Sequence, residues 1–275
     1  MSCSIGRTLL SFQTNAKLYK LNTTVTSIIP FSALPEANRL IFKTGSEDDA
    51  VVTTEATIFH PQGGGQPSDV GEMASTSTGA KFVVSTARMD AIHEGQVLHL
   101  GRFADTDKMF KIGETVEQSI DVEKRILYSK YHTAGHVLGA AVRHLLEHDI
   151  EGFDELKASH FPDSASCEFK GLIDGKWKPT IQEKLDAYVA AAMPVEIDFW
   201  DEDDFKKNGL ERLIPNGDGI KLAEGGKYRV VKIIGAEVYP CGGTHVDTTG
   251  LCGKVGVKKI SRSKGTSRVS YTVDA

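Results

Sequence analysis

The sequence predicts an α+β fold: a small N-terminal β-barrel over residues 1–120, then helices packed on an antiparallel sheet over residues 121–275. Three observations carry this. The first part consists of short apolar runs broken by Gly, Asp, Ser and Pro, the pattern of a small barrel. A long helical periodicity begins near Asp121. The C-terminal stretch alternates through Val255, Val257 and Ile260, then Val269, Tyr271 and Val273, as two antiparallel strands do. The 275 residues suffice for two modest cores.

Taken in order, Leu18 to Ile29 reads as the first barrel strand, alternating through Val25, Ile28 and Ile29. Arg39-Leu-Ile-Phe42, Ala56-Thr-Ile-Phe59, Lys81-Phe-Val-Val84 and Gln96-Val-Leu-His-Leu100 are further short strand-like runs. Gly113 to Asp121 reads as the last barrel strand. From Asp121 to about Glu147 the residues Leu127, Tyr131, Ala134, Leu138, Ala141 and Leu145 recur at three- and four-residue steps, which gives one long amphipathic helix. Asp121 is placed to cap it, and Glu123 favours the positive end of its dipole. Ala158 to Lys170 reads as a strand pair or a bulged strand. Thr180 to Ala192 reads as a second helix stopped by Pro194, and Val195 to Trp200 as a strand. Asp201 to Gly226 is acidic, then rich in Gly and Pro, and reads mostly as loop.

Two half-sites for a metal stand far apart in this order. His132 and His136 lie four residues apart on the long helix, nearly opposite its apolar stripe, beside the small residues Gly135, Gly139 and Ala140. Cys241 and His245 form a C-x-x-x-H pair after the strand-like run Arg229–Ile234, with Gly242 and Gly243 permitting a tight turn between them. Three imidazoles and one thiolate suit a single tetrahedral Zn²⁺. The competing reading, a hydrogen-bonded helix histidine pair beside a buried free cysteine, explains each half alone but not both together. Cys3 lies near the start of the sequence; Cys167, in a strand-like run, and Cys252, in a Gly-rich turn, read as core or surface thiols, with a ligand role for Cys252 as the alternative less favoured than that of Cys241.

Composition narrows the classes. A net charge of −5 is not that of a general nucleic-acid coat, so RNA binding would need a local basic surface. Four cysteines without paired spacing argue against a disulfide scaffold and for a reducing compartment. No run of about eighteen apolar residues predicts a membrane span. The first acidic residue is Glu36, and Arg7, Lys17 and Lys20 precede it in a Ser/Thr-rich stretch, as in a mitochondrial transit peptide. Because Leu18–Ile29 reads better as a barrel strand, the cytoplasm is expected instead.

Three separated segments, Phe59-His-Pro-Gln-Gly-Gly-Gly-Gln-Pro-Ser-Asp69, Tyr131-His-Thr-Ala-Gly-His136 and Cys241-Gly-Gly-Thr-His245, resemble in order and spacing the alanyl-tRNA synthetase editing domain and its free-standing relatives, the AlaX proteins. The resemblance covers nearly the whole chain. It implies that residues 121–275 form an editing domain. It also implies a trans-editing hydrolase that deacylates mischarged tRNA(Ala), chiefly seryl and sometimes glycyl, with Zn²⁺ held by His132, His136, Cys241 and His245. Gly135 stands where the family usually has threonine, and His60 where it has tyrosine; neither replaces a ligand. The threonyl-tRNA synthetase editing domain shares both metal half-sites, but it usually has proline where this chain has Thr244 and lacks the GGGQPSD segment. Editing of Ser-tRNA(Thr) is therefore the rival activity. A non-catalytic zinc-stabilised binding module is the rival of a different class. The length is that of an editing protein without an aminoacylation domain, so no ATP-dependent charging is expected.

The chemistry behind such an activity is discrimination. A synthetase site sized for alanine cannot strongly exclude serine, whereas a second site that hydrogen-bonds the hydroxyl can reject alanine. Thr133 is the first candidate reader of that hydroxyl and Gln66 the second; the alternative for Thr133 is a bond back to a helix carbonyl. Gly63, Gly64 and Gly65 form a loop read as a lid over the zinc site, with Gln66 inward and Asp69 fixing the turn. A plain hairpin turn is the alternative. Lys254, Lys258, Lys259, Arg262, Lys264 and Arg268 cluster near the C-terminus around a Gly265 turn. They are the candidate contacts to the phosphates of the tRNA acceptor end. No obligate protein partner is inferred.

Overall fold

One strand closes the barrel on itself. The computed structural model describes residues 6–215 and 226–274. Its two compact units are the residues up to Gly63 with Pro67–Arg125, and Gly64–Gln66 with everything from Ile126. The architecture is α+β. The first unit holds β1 (Leu9–Leu10), β2 (Lys20–Pro30), α1 (Glu36–Leu40), β3 (Ala50–Thr54), β4 (Ala56–Thr57), β5 (Gly71–Ser75), β6 (Lys81–Met89), β7 (Val97–Phe103) and β8 (Thr115–Ile120). Six antiparallel strands close in the order β2-β3-β7-β6-β5-β8. The long strand β2 pairs with β8 through Lys20–Thr24 and with β3 through Val25–Pro30, so it seals both edges. Val25, Val52, Phe59, Met73, Phe82 and Val116 fill the interior.

Two buried polar groups sit among them with their bonding satisfied. Gln118 accepts from the Ile58 amide at 2.9 Å and donates to Thr54 Oγ1 at 3.1 Å. His99 donates from Nδ1 to the Val52 carbonyl at 2.9 Å, so its Nε2 accepts the Thr57 hydroxyl at 2.8 Å. Burial holds His99 down at about 4. The connection after β4 is pinned by Asp69. Its Oδ2 accepts from the His60 amide at 2.6 Å, and both carboxylate oxygens lie 3.1 Å from Arg125 Nε. Asp69 and Arg125 are each 1% exposed.

The second unit is built on α2 (Val122–Leu146), which starts in the first unit and runs on through the second. Asp121 caps it, Oδ1 accepting the Lys124 amide at 3.0 Å. The expected apolar stripe packs as read, with Tyr131, Ala134 and Leu138 in the main core and Leu127 and Leu145 against it. Then follow β9 (Asp154–Ser159), β10 (Ser166–Lys170), α3 (Lys178–Ala190), β11 (Val195–Trp200), α4 (Glu202–Lys207), β12 (Tyr228–Ile233), β13 (Glu237–Pro240), β14 (Val255–Ser263) and β15 (Thr266–Val273). They form two antiparallel sheets, β14-β15-β10-β9 and β11-β12-β13.

One sequence expectation is corrected. Arg39–Phe42 is not a strand; Pro35 starts the short helix α1, Leu40 is exposed, and Phe42 joins a small cluster with Leu34. A four-residue apolar run carries no period that separates strand from helix. Within Asp201–Gly226, expected to be mostly loop, Asp201 and Asp204 cap the short helix α4 reciprocally. Residues 216–225 of that stretch, like Cys3, lie outside the described residues. Among the described residues, no helix is long and apolar enough to cross a membrane.

Candidate metal centre

The helix pair and the turn pair meet within the second unit. His132, His136, Cys241 and His245 each offer one ligand atom, and these atoms all lie within 4.8 Å of one another. Cys241 Sγ lies 3.4 Å from His132 Nε2 and 3.3 Å from His245 Nε2. Zn–S of about 2.3 Å and Zn–N of about 2.0 Å give a tetrahedron with S···N edges of roughly 3.5 Å. His136 Nε2 is buried and has no hydrogen-bond partner among the described residues. A buried nitrogen left so is costly unless something else occupies its lone pair, and a cation would. On donor type, spacing and this orphaned atom, the four residues fit a tetrahedral metal such as zinc.

The turn is entered from β13, whose last residue Pro240 precedes Cys241; Arg229–Ile233 lies one strand earlier. Gly243 matters for room, since a Cβ there would lie 2.7 Å from Gln66 Oε1. The Gly243 amide reaches Cys241 Sγ at 3.4 Å. Burial pushes the Cys241 thiol up, and the Arg229 guanidinium and that amide pull it back. Arg229 Nη1 also donates to the Cys241 carbonyl. Burial first, then the neighbouring His160 and Arg229, holds His136 well below the usual imidazole range, which leaves it neutral.

Each imidazole is held by a different group. Gln66 Oε1 lies 2.7 Å from His132 Nδ1 and accepts the Thr244 amide at 3.0 Å, while Gln66 Nε2 donates to Thr244 Oγ1 at 2.8 Å. An amide oxygen can only accept, so His132 Nδ1 carries the proton and Nε2 presents its lone pair. Thr133 Oγ1 lies 3.1 Å from His245 Nδ1 and accepts the Val246 amide at 3.2 Å. Tyr239 packs against His136 with centroids 4.2 Å apart and the rings tilted by 32°, and it donates to the His136 carbonyl at 3.2 Å. Ser129 Oγ is 2.8 Å from Thr244 Oγ1.

Gln66 and Thr133 are therefore at the centre, both fully buried and both engaged with the ring of a histidine of the His/Cys cluster. Gly64 and Gly65 belong with Gln66 to the second unit, whereas Gly63 and Asp69 belong to the first. His60 is in the first unit, its Nδ1 3.3 Å from the Pro67 carbonyl. His160, Tyr239 and Arg229 carry no motif that would have marked them in the sequence; only Tyr239, two residues before Cys241, stands near one.

The basic cluster divides. Lys259 pairs with Ser270 and Ser261 with Arg268, putting Lys259 and Arg268 on one face, while a bulge at Lys258 and the Arg262–Ser267 pairing put Arg262 on the other. Arg268 is bound to Glu168 at 2.7 Å and Arg262 lies 3.7 Å from Asp174. Lys258, Lys259 and Lys264 are exposed.

Comparison with known proteins agrees with this architecture. Residues 228–270 match the family described as threonyl and alanyl tRNA synthetase second additional domain. The chain is 30% identical over 242 residues to alanyl-tRNA editing protein AlaX-L of Pyrococcus horikoshii, covering 87% of this chain and 55% of that one. It is 28% identical over 228 residues to AlaX-M of Methanosarcina barkeri, covering 82% and 90%. To the alanine–tRNA ligase of Methanobrevibacter smithii it is 30% identical over 224 residues, 79% of this chain but 23% of the ligase. The likeness to the synthetase additional domain thus falls on residues 228–270, the stretch that contains Cys241 and His245. The chain is a homologue of the alanyl-tRNA editing proteins. It spans just over half the length of the AlaX-L relative and about a quarter of the ligase.

Proposed function

We propose that this chain is a zinc-dependent aminoacyl-tRNA hydrolase that removes serine from tRNA(Ala). The observation that carries the proposal is the convergence of His132 Nε2, His245 Nε2 and Cys241 Sγ beside the unpartnered, buried His136 Nε2. Zinc held by these four residues supplies Lewis acidity toward the carbonyl of an ester. The chain's own residues hold that centre in shape. Gln66 fixes the tautomer of His132, Thr133 fixes His245, and Tyr239 fixes the plane of His136; such outer partners set ligand orientation and basicity. Thr133 Oγ1 accepts from both Val246 and His245, which leaves its O–H able to donate. Lys258, Lys259 and Lys264 supply the exposed charge for the acceptor-end phosphates. The alanyl relatives, Thr244 and the Gly-rich segment favour alanine over threonine tRNA.

The test is deacylation of Ser-tRNA and Ala-tRNA carrying the alanine acceptor, with zinc content measured on the same sample. Preferential cleavage of the seryl ester, lost in His136→Ala while the chain stays folded, is expected. Equal cleavage of both esters removes the substrate assignment. Unfolding of His136→Ala together with inert wild type makes the centre a structural zinc module.

A further inference from the structure

A fourth imidazole lines the same centre without belonging to the ligand set. His160 stacks on His132 with centroids 4.2 Å apart and an interplanar angle of 24°, and its centroid is 6.0 Å from that of His136. Its Nδ1 is 2.8 Å from Tyr271 Oη, and that hydroxyl donates onward to the Tyr131 carbonyl at 2.8 Å. With its one hydrogen committed to Tyr131, the Tyr271 oxygen accepts from His160. His160 therefore carries its proton on Nδ1 and presents a bare lone pair at Nε2. That nitrogen makes no hydrogen bond among the described residues, and it is not among the buried atoms cut off from solvent without a partner.

The surroundings are shaped to this ring. A Cβ at Gly135 would lie 2.5 Å from His160 Nδ1 and 2.7 Å from Tyr271 Oη, so no side chain larger than hydrogen fits here without moving that pair. A Cβ at Gly65 would lie 3.2 Å from His160 Cδ2, and the His160 amide donates to the Gly65 carbonyl at 2.8 Å. Glycine at 135, histidine at 160 and tyrosine at 271 form one steric and hydrogen-bonded unit.

We propose that His160 Nε2 accepts a hydrogen bond from the α-amino group of the aminoacyl ester held at this centre. The proposal rests on the reading of the centre as an aminoacyl-ester site. The oxygens of an ester only accept, so an acceptor nitrogen has no match there. The α-amine is the N–H donor shared by every aminoacyl ester. Among the described residues, the metal-facing cluster contains no carboxylate to receive it. Glu155, whose Oε2 would meet a Cβ at Gly139, is paired through Oε1 with Arg143 at 2.8 Å.

The experiment compares tRNA esterified with serine, with alanine and with 3-hydroxypropanoate, the serine analogue without its amine. It uses wild type, His160→Ala and the milder Tyr271→Phe, which keeps the ring but frees its tautomer. Binding of the corresponding non-hydrolysable 3′-amides of adenosine is measured by calorimetry, and zinc content is determined for each protein. His160→Ala is expected to lower kcat/KM and amide affinity for both amine-bearing substrates by about ten- to a hundred-fold, the cost of a lost bond to a charged group. The 3-hydroxypropanoyl compounds and zinc content should be unchanged. Tyr271→Phe should show a smaller loss with the same selectivity. Equal loss on all three substrates, no loss, or loss confined to the two hydroxyl-bearing substrates overturns the assignment. Wild type that neither cleaves nor binds any of them overturns the parent reading, and this one with it.

Discussion

Gln66 Oε1 sits 2.7 Å from His132 Nδ1, so a carboxamide from a glycine-rich loop sets the tautomer of an imidazole on a helix far along the chain. Gln66→Ala removes that acceptor. Zinc affinity, measured by competition with a chromophoric chelator, should fall about ten- to a hundred-fold with the fold retained. An unchanged affinity would remove Gln66 from the centre's support.

Thr133 separates two roles. If it acts through His245, Thr133→Val lowers zinc affinity and slows seryl and alanyl cleavage alike, while Thr133→Ser restores both. If it reads the serine hydroxyl directly, Thr133→Val changes the seryl-to-alanyl ratio at constant zinc content. The bond to His245 Nδ1 leads us to expect the first result, with a loss of about ten-fold or more.

Asp69 and Arg125 test the first unit. Asp69→Ala leaves the buried guanidinium without its carboxylate and frees the His60 amide. Breaking a buried pair from one side costs about 3–5 kcal/mol. A clear drop in the urea midpoint is expected, and a change within error would mean that water replaces the carboxylate.

His99 sets an acid limit. Its folded value of about 4 lies below the unfolded imidazole value near 6.5. Between these the unfolded chain binds more protons, so stability rises with pH. The neutral-pH stability is full above the unfolded value and is lost as pH falls toward 4, by up to about 3 kcal/mol. His99→Gln should flatten the decline in Tm between pH 6.5 and 4.5; an identical decline would place the acid sensitivity elsewhere.

For RNA binding, the free charges matter more than the paired ones. Lys258→Ala, Lys259→Ala and Lys264→Ala together should reduce the salt dependence of tRNA binding, by about one unit of log–log slope for each phosphate no longer neutralised. Arg268→Ala, already bound to Glu168, should change it less. A slope unaffected by the triple change would move the tRNA surface elsewhere.

The long helix and the two pairs His132/His136 and Cys241/His245, which the fold brings together, were legible because each rests on a fixed period or on a short regular spacing. β11 was read to the residue from its bounded Val195–Trp200 run. β3 and β5 were not, since Ala50–Thr54 and Gly71–Ser75 are rich in small and hydroxyl-bearing residues without a clear apolar alternation. His160 escaped for a different reason: it acquires its place only when β9 carries it past Gly135, a pairing of distant segments that no local pattern records.

The three residues Gly64–Gln66 count with a body whose remaining sequence begins sixty positions later. That body is discontinuous in the gene. A fragment cut to start at Ile126 would keep all four His/Cys donors yet lose the carboxamide beside His132. Any excision, fusion or permutation of this half must therefore restore that tripeptide, or it will yield a protein that runs whole on a gel with His132 left unsupported.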